Sequence, residues 1–95
     1  MPAYLVVEVV YRDRGWIEAY RQNVPQMIAA RGGRYLARAA DPALLEGDGP
    51  TPNTLAVIEF PTADAARDLL AAPEYQPYLE ARQAGAATRI FLIEG

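Results

Sequence analysis

The sequence predicts an α+β fold in which one four-stranded antiparallel sheet carries helices on one of its faces. Three observations lead to this prediction. The chain of 95 residues has the length of a single domain, which spans residues 1–95. Four stretches have the apolar pattern of strands. Stretches between them repeat apolar residues at helical spacing. The order strand, helix, strand, strand, helix, strand is typical of the ferredoxin-like arrangement, with sheet order 4-1-3-2.

The first half of the chain predicts a central strand followed by a helix. Residues 3–11 alternate and are apolar on both faces, which indicates a strand covered on both sides. From Trp16 onward apolar residues recur at helical spacing, and Gly32-Gly33 ends this helix. Pro25 lies inside the pattern and lacks an N–H donor, so a kink or a break into two helical pieces is expected there.

The middle of the chain predicts two strands joined by a long connection. The second strand, residues 34–39, follows the glycine pair directly. The connection over residues 41–53 contains three prolines and two glycines, and residues 43–46 are expected to form a short extra strand at the sheet edge. The third strand follows at residues 55–60 and is apolar except for Glu59.

The last third of the chain predicts two helical pieces and a final strand. Thr62 is a suitable N-cap, and Asp64 places a negative charge in the first turn of the helix, where the helix dipole favours it. Prolines interrupt the helical pattern over residues 72–78, so a separate helix is expected over residues 77–86. The apolar run at residues 88–94 then forms the fourth strand.

The composition excludes several kinds of chemistry. The chain has no cysteine and no histidine, and all nine of its cationic residues are arginine. Thiol nucleophiles, histidine general bases, histidine-ligated haem and lysine Schiff bases are therefore absent, and we expect neither a metal nor a cofactor. The net charge of −3 indicates no nucleic-acid surface. No apolar run approaches the ~20 residues of a membrane span and no secretory segment precedes the first strand, so a cytoplasmic location is expected.

The face of the sheet turned away from the helices is predicted to be largely apolar. A monomer rarely leaves a patch of this size in water, so we expect a second copy of the chain to cover it and form a homodimer. Strand alternation assigns eight apolar residues to this face: Tyr4, Val6, Val10, Leu36, Leu55, Val57, Phe91 and Ile93.

Alternation also assigns five charged residues to the same face: Glu8, Glu59, Arg34, Arg38 and Arg89. Burying an unpaired acid costs several kcal/mol, so these residues need partners or a use. One interpretation is that they form ion pairs that set strand register and the dimer interface. The other is a pocket in which the arginines bind a small polar or anionic ligand and Glu59 or Glu8 acts as a general base.

Four aromatic residues are further candidates for ligand binding. Tyr20, Tyr35 and Tyr75 could donate hydrogen bonds to a developing oxyanion, although rings at this spacing usually belong to the core. Trp16, at the start of the first helix, could cover the mouth of a pocket or could pack against the helix end.

Six short motifs together resemble a known family. They are the start Met1-Pro2-Ala3-Tyr4, Tyr20-Arg21 through Val24-Pro25, Gly32-Gly33-Arg34-Tyr35, Leu45-Glu46-Gly47, Ile58-Glu59-Phe60-Pro61 and Pro73-Glu74-Tyr75-Gln76-Pro77. In this order the motifs resemble the domain-of-unknown-function family numbered 1330. The resemblance implies the dimeric α/β-barrel superfamily, in which two ferredoxin-like sheets pack face to face. It implies no established reaction, because relatives in the wider superfamily include cofactor-independent monooxygenases, haem-degrading enzymes and muconolactone isomerases.

Together these observations predict a homodimeric small-molecule-binding protein that needs no cofactor. Two roles stay open at this point. The protein is either an enzyme for proton transfer or oxygenation of a small hydrophobic or phenolic compound, or a ligand-binding or structural dimer without catalysis.

Overall fold

The computed structural model describes residues 1–95 and contains one four-stranded antiparallel sheet with all helices on one face. The elements are β1 (Ala3–Tyr11), α1 (Ile17–Ala30), β2 (Arg34–Ala40), β3 (Thr54–Phe60), α2 (Ala63–Ala71), a 3₁₀ turn (Pro73–Tyr75), α3 (Gln76–Gly85) and β4 (Ala86–Glu94). The strands lie in the order β2-β3-β1-β4, which confirms the predicted ferredoxin-like sheet. No helix combines the length and the apolar composition that a membrane crossing requires.

Two helix boundaries follow from the local sequence. The Thr62 side chain accepts a hydrogen bond of 3.1 Å from the Ala65 N–H, so this residue is the N-cap of α2 as expected. After α1 the chain turns at Gly32, which has φ +75°. Gly33 packs so closely that an added Cβ would lie 2.7 Å from Ile28 Cγ2 and 2.8 Å from Phe60 Cε1, so a larger residue would force the helix away from the sheet.

Two local structures expected from the sequence do not form. Pro25 does not break α1 into two pieces, since the helix continues from Ile17 to Ala30, and the kink named as the alternative stays a prediction. Val24 and Ile28, on either side of this proline, are both buried, and their packing offsets the loss of one backbone hydrogen bond. Residues 43–46 form no strand, because the connection stays irregular and leaves Leu45 94% exposed.

The core lies between the inner face of the sheet and the helices. Its large, fully buried side chains are Val24 and Ile28 from α1, Phe60 from β3 and Tyr75 from the 3₁₀ turn. Leu69 of α2 and Leu5 of β1 complete the contact between the two layers. This packing determines which side chains of the helices face the sheet, and therefore which side chains surround the cavity described next.

Candidate functional site

A cavity of about 80 Å³ lies between the inner face of the sheet and the helices. It is several times larger than the ~10–15 Å³ that a single water needs. Twenty residues line it, and sixteen of them are hydrophobic. Five of the residues predicted from the sequence as ligand contacts lie here together: Trp16, Tyr20, Tyr35, Arg38 and Tyr75.

The buried end of the cavity holds two tyrosines and an arginine. The hydroxyls of Tyr20 and Tyr75 are 2.6 Å apart and share a hydrogen bond, and the rings meet edge to face. Arg82, on α3, donates a hydrogen bond of 3.2 Å from Nη2 to the Tyr75 hydroxyl. Tyr75 is 2% exposed and Arg82 is 4% exposed, so this polar group is surrounded by protein.

Burial controls the protonation of these groups. Desolvation, reinforced by the neighbouring Tyr75 hydroxyl, raises the pKa of Tyr20 far above its ordinary value, even though Arg82 acts in the opposite direction. Burial also raises the pKa of Tyr35, with Arg38 opposing it. For Arg82, burial lowers the pKa, but Tyr75 and Tyr20 outweigh this effect and the net shift is upward. Near neutral pH Tyr20 and Tyr35 are therefore neutral and the Arg82 guanidinium is charged.

Trp16 closes one side of the cavity. Its ring meets Tyr20 edge to face at 5.5 Å between centroids and Tyr11 at 6.0 Å. The indole N–H donates to the Asp13 carbonyl at 3.0 Å. An added Cβ on Gly85 would collide with the indole, so a glycine at this position makes room for the tryptophan. Trp16 therefore packs at a helix start and also lines the cavity, and its role in ligand binding stays a prediction.

The structure places Arg38 on the other face from the one predicted. Arg34 pairs with Glu59 and Tyr35 with Ile58, but the register then shifts so that Arg38 lies opposite Ala56. Leu36 is the extra residue of a β-bulge, and a bulge reverses the alternation of every residue that follows it. The guanidinium of Arg38 lies over the ring of Tyr35, 5.1 Å from its centroid, at the exposed side of the cavity.

The four other charged residues stay on the outer face, as two separate ion pairs and not as one cluster. Arg34 Nε lies 3.0 Å from Glu59 Oε1, and Arg89 Nη1 lies 3.9 Å from Glu8 Oε1. Glu8 stands opposite Leu55, four residues from Glu59 along β3, which separates the two acids by about 13 Å. The single five-residue cluster predicted from the sequence is therefore wrong, because strand register places the two pairs at different ends of the face.

The chemistry available in the cavity differs from that on the outer face. The cavity lining contains no aspartate or glutamate, and Glu8 and Glu59 are not part of it. A role for either acid as a general base stays a prediction, and their pairing with arginines favours the ion-pair interpretation. No group of three or more carboxylate, histidine or cysteine side chains is placed to hold a metal ion.

Sequence reasoning missed Arg82, the most deeply buried charge in the chain. A signal for it exists, because Tyr75, Leu79 and Arg82 are spaced four and three residues apart, as on one face of a helix. Prolines at residues 73 and 77 obscured this spacing, since they suggested a break within the stretch. Arg21, at the exposed side of the cavity, was also not predicted as a ligand contact.

Fold and site together define the class of this protein: a small ferredoxin-like domain with a mostly apolar cavity between its sheet and its helices. The chain belongs to the family described as a domain of unknown function, DUF1330, whose model matches residues 2–95. This match confirms the family resemblance found in the sequence. No curated protein matches the sequence.

Solved structures with the same fold include proteins with and without a known activity. The RPA0582 protein of unknown function from Rhodopseudomonas palustris is 17% identical, has a TM-score of 0.85, and the match covers 99% of this chain and 82% of that one. SnoaB, a cofactor-independent oxygenase from Streptomyces nogalater, is 17% identical with a TM-score of 0.69, covering 99% and 92% of the two chains. An uncharacterised NIPSNAP domain protein from Burkholderia xenovorans is 12% identical with a TM-score of 0.61, covering 100% and 94%. At these identities the likeness shows the fold alone.

Proposed function

We propose that this chain forms a homodimer that binds a small hydrophobic or phenolic molecule in the cavity between sheet and helices. The observation that carries the proposal is the cavity itself, where five aromatic residues surround a space in an otherwise close-packed core. Ligand sites in proteins are commonly apolar pockets of this kind with a few polar groups that fix orientation. We also place the protein in the cytoplasm, as the sequence predicts.

Ligand binding is tested through Trp16, the only tryptophan in the chain, which lines the cavity. A small phenol such as 4-methylphenol is expected to change its fluorescence in a saturable manner. Ala56→Leu extends a side chain into the cavity from β3 and should abolish the response, while Ala71→Leu on the exposed side of α2 should preserve it. An equal response from both variants would show that the phenol binds elsewhere.

The outer face of the sheet is the proposed dimer interface. Val10, Leu36, Phe91 and Ile93 are all exposed there in the single chain, and together they form an apolar surface of the kind that partners cover. The Arg34–Glu59 pair lies on the same face, and burial in an interface would strengthen it. Face-to-face packing of two such sheets would hide both the apolar residues and the polar pairs.

The dimer is tested by analytical ultracentrifugation at micromolar concentration. We expect twice the chain mass of 10.4 kDa. Ile93 is already 52% exposed in the single chain, so Ile93→Glu should leave the fold intact and shift the mass to that of a monomer. Ala81→Glu adds the same charge on the exposed side of α3 and should remain dimeric. A monomeric wild-type chain would contradict the interface.

Oxygenation or proton transfer without a cofactor is the reaction that we propose for this site. The similarity in fold to SnoaB, a cofactor-independent oxygenase, supports oxygenation as the first reaction to test. The experiment measures oxygen consumption with a panel of phenols and hydroxyquinones, comparing the wild type with Ala56→Leu. Oxygen consumption that exceeds the molar amount of wild-type protein, and that the Ala56→Leu variant lacks, would support an oxygenase.

Ligand binding without catalysis is the second candidate, and one observation favours it. The cavity contains no carboxylate, histidine, cysteine or lysine, so it offers no side chain that accepts a proton readily near neutral pH. Phenol binding without oxygen consumption or proton exchange across the panel would select this candidate. Glu59→Gln tests the general-base prediction separately: because Glu59 lies on the outer face and not in the cavity, unchanged turnover of a phenol in this variant would exclude it as the base.

A further inference from the structure

The charge of the cavity is opposite to that of the chain. The protein carries 12 acidic and 9 basic residues, yet the residues lining the cavity include three arginines and no acid. Arg21 and Arg38 are exposed and lie at its outer side, whereas Arg82 is buried at its inner end. An anion that enters the cavity therefore meets positive charge both at its outer side and at its inner end.

Arg82 lacks the acidic partner that a buried arginine normally has. No carboxylate lies within 4.0 Å of it, although four other arginines of the chain form such pairs. Its single hydrogen bond goes to Tyr75, and its Nε–H is buried without any acceptor. A guanidinium has five N–H donors, so most of its capacity for binding an anion is unused. Burying a guanidinium carries a desolvation cost, and an anion bound beside it would reduce that cost.

The two tyrosines extend this donor group toward the cavity. The Tyr75 oxygen accepts from Arg82, so its own O–H can donate to the Tyr20 oxygen 2.6 Å away. In this order of hydrogen bonds the Tyr20 O–H is left to donate to a further acceptor. Because burial keeps Tyr20 protonated, it stays a donor across the physiological pH range.

From these contacts we propose that the cavity selects an anion: a small aromatic or otherwise apolar molecule with one negatively charged oxygen group, a carboxylate or a phenolate. Arg82 and the Tyr20 hydroxyl bind the charged oxygen, and the apolar lining holds the rest of the molecule. The proposal rests on the proposed function, since it names the class of ligand for the same cavity. It also accounts for the missing carboxylate, because an acid in the cavity would neutralise Arg82 and repel the ligand.

The test compares benzoate with benzamide, which has nearly the same shape but no charge. Isothermal titration calorimetry should show that the wild type binds benzoate about tenfold more tightly or better, the ratio that a charge-assisted hydrogen bond supplies. Arg82→Met should remove the preference, and Arg67→Met, an exposed control on α2, should retain it. Thermal melting of each variant verifies folding.

A second probe separates the two sources of the oxyanion. 4-Nitrophenol absorbs differently as phenol and phenolate, and a site that prefers the phenolate tenfold lowers its apparent pKa by about one unit. The shift should occur with the wild type and not with Arg82→Met. A benzoate preference without this shift supports an anion site for carboxylates, and the shift without a benzoate preference supports a site for phenolates.

The outcomes that overturn the proposal are distinct from those that overturn the proposed function. Equal binding of benzoate and benzamide together with an unshifted 4-nitrophenol would refute anion selection and leave the cavity as a ligand site. A preference that survives Arg82→Met would refute the role of this residue. Absence of binding by all three probes would refute the ligand site itself, and anion selection with it.

Discussion

Replacing Arg82 with methionine should make the protein more stable while it loses anion binding. The guanidinium is 4% exposed and has no carboxylate partner, so its burial costs several kcal/mol of effective desolvation energy. Methionine has a similar unbranched stem and can fill the same space without charge. Stability and ligand binding should therefore change in opposite directions in this variant.

The magnitude follows from the interactions that the substitution removes. The hydrogen bond from Arg82 to Tyr75 is charge-assisted and contributes about 1.5–3 kcal/mol. A basic residue in the last turn of α3 also interacts favourably with the helix dipole, by about 0.3–1 kcal/mol. Tyr75 keeps its bond to Tyr20, so no new unpaired hydroxyl is created. Set against the desolvation cost, the expected net gain is about 1–3 kcal/mol.

Thermal and urea unfolding provide the measurement. For a domain of this size each kcal/mol corresponds to about 4–8 °C in Tm, so the variant should melt at least several degrees higher than the wild type. Both proteins are compared at one concentration, because dimerisation makes Tm depend on it. Arg67→Met should stay within about 0.5 kcal/mol of the wild type. A fall in the Tm of Arg82→Met would show that Arg82 stabilises the fold and would refute the reasoning.

Three further predictions follow from other contacts. Gly85→Ala places a methyl group against the Trp16 indole, so it should destabilise the fold by about 1–3 kcal/mol and alter tryptophan fluorescence. The control Gly15→Ala, where a methyl group has space, should do neither. Matching melting curves for the two variants would contradict the close packing at Gly85. Burial raises the pKa of Tyr20, so the unfolded chain loses its proton first above pH 10.0, and stability should fall there by about 1.4 kcal/mol per pH unit. Denaturation of the wild type and Tyr20→Phe across alkaline pH measures this slope, and equal slopes would count against it. Glu59→Gln removes the charge that pairs with Arg34 in the proposed interface, so the dimer dissociation constant, measured by dilution, should rise about tenfold or more. An unchanged dissociation constant would place the pair outside the interface.

Local patterns predicted the elements well and their interruptions less well. Alternation over β1 and helical spacing over α1 were sufficient to predict both elements, and the order of strands and helices along the chain predicted the order of the sheet. Pro25 misled the prediction, because the cost of a proline in a helix is local whereas the packing that retains the helix comes from Val24 and Ile28 against the sheet. Propensity and capping act within a few residues, and tertiary packing can override them.

The sequence predicted several residues of the candidate site but not the cavity that they line together. Trp16 and Tyr20 lie one helical turn apart at the start of α1, whereas Tyr35 belongs to β2 and Tyr75 to the 3₁₀ turn. Nothing in the sequence indicates that these three segments surround one cavity. They share the inner side of the molecule because each element turns its apolar face toward the core. The charged residues on the strands drew attention to the outer face, where the structure has ion pairs.

By itself, the sequence determined the strand order and the chemical limits of the protein, because apolar periodicity selects the fold and composition excludes histidine, cysteine and lysine chemistry. Only the tertiary structure decided which face Arg38 occupies, which acids meet arginines, and that Arg82 lies buried without an acidic partner. The physical reason is the range of the interactions involved. A bulge, a strand register and the rotation of a helix depend on contacts between segments distant in the chain, and no local pattern contains them.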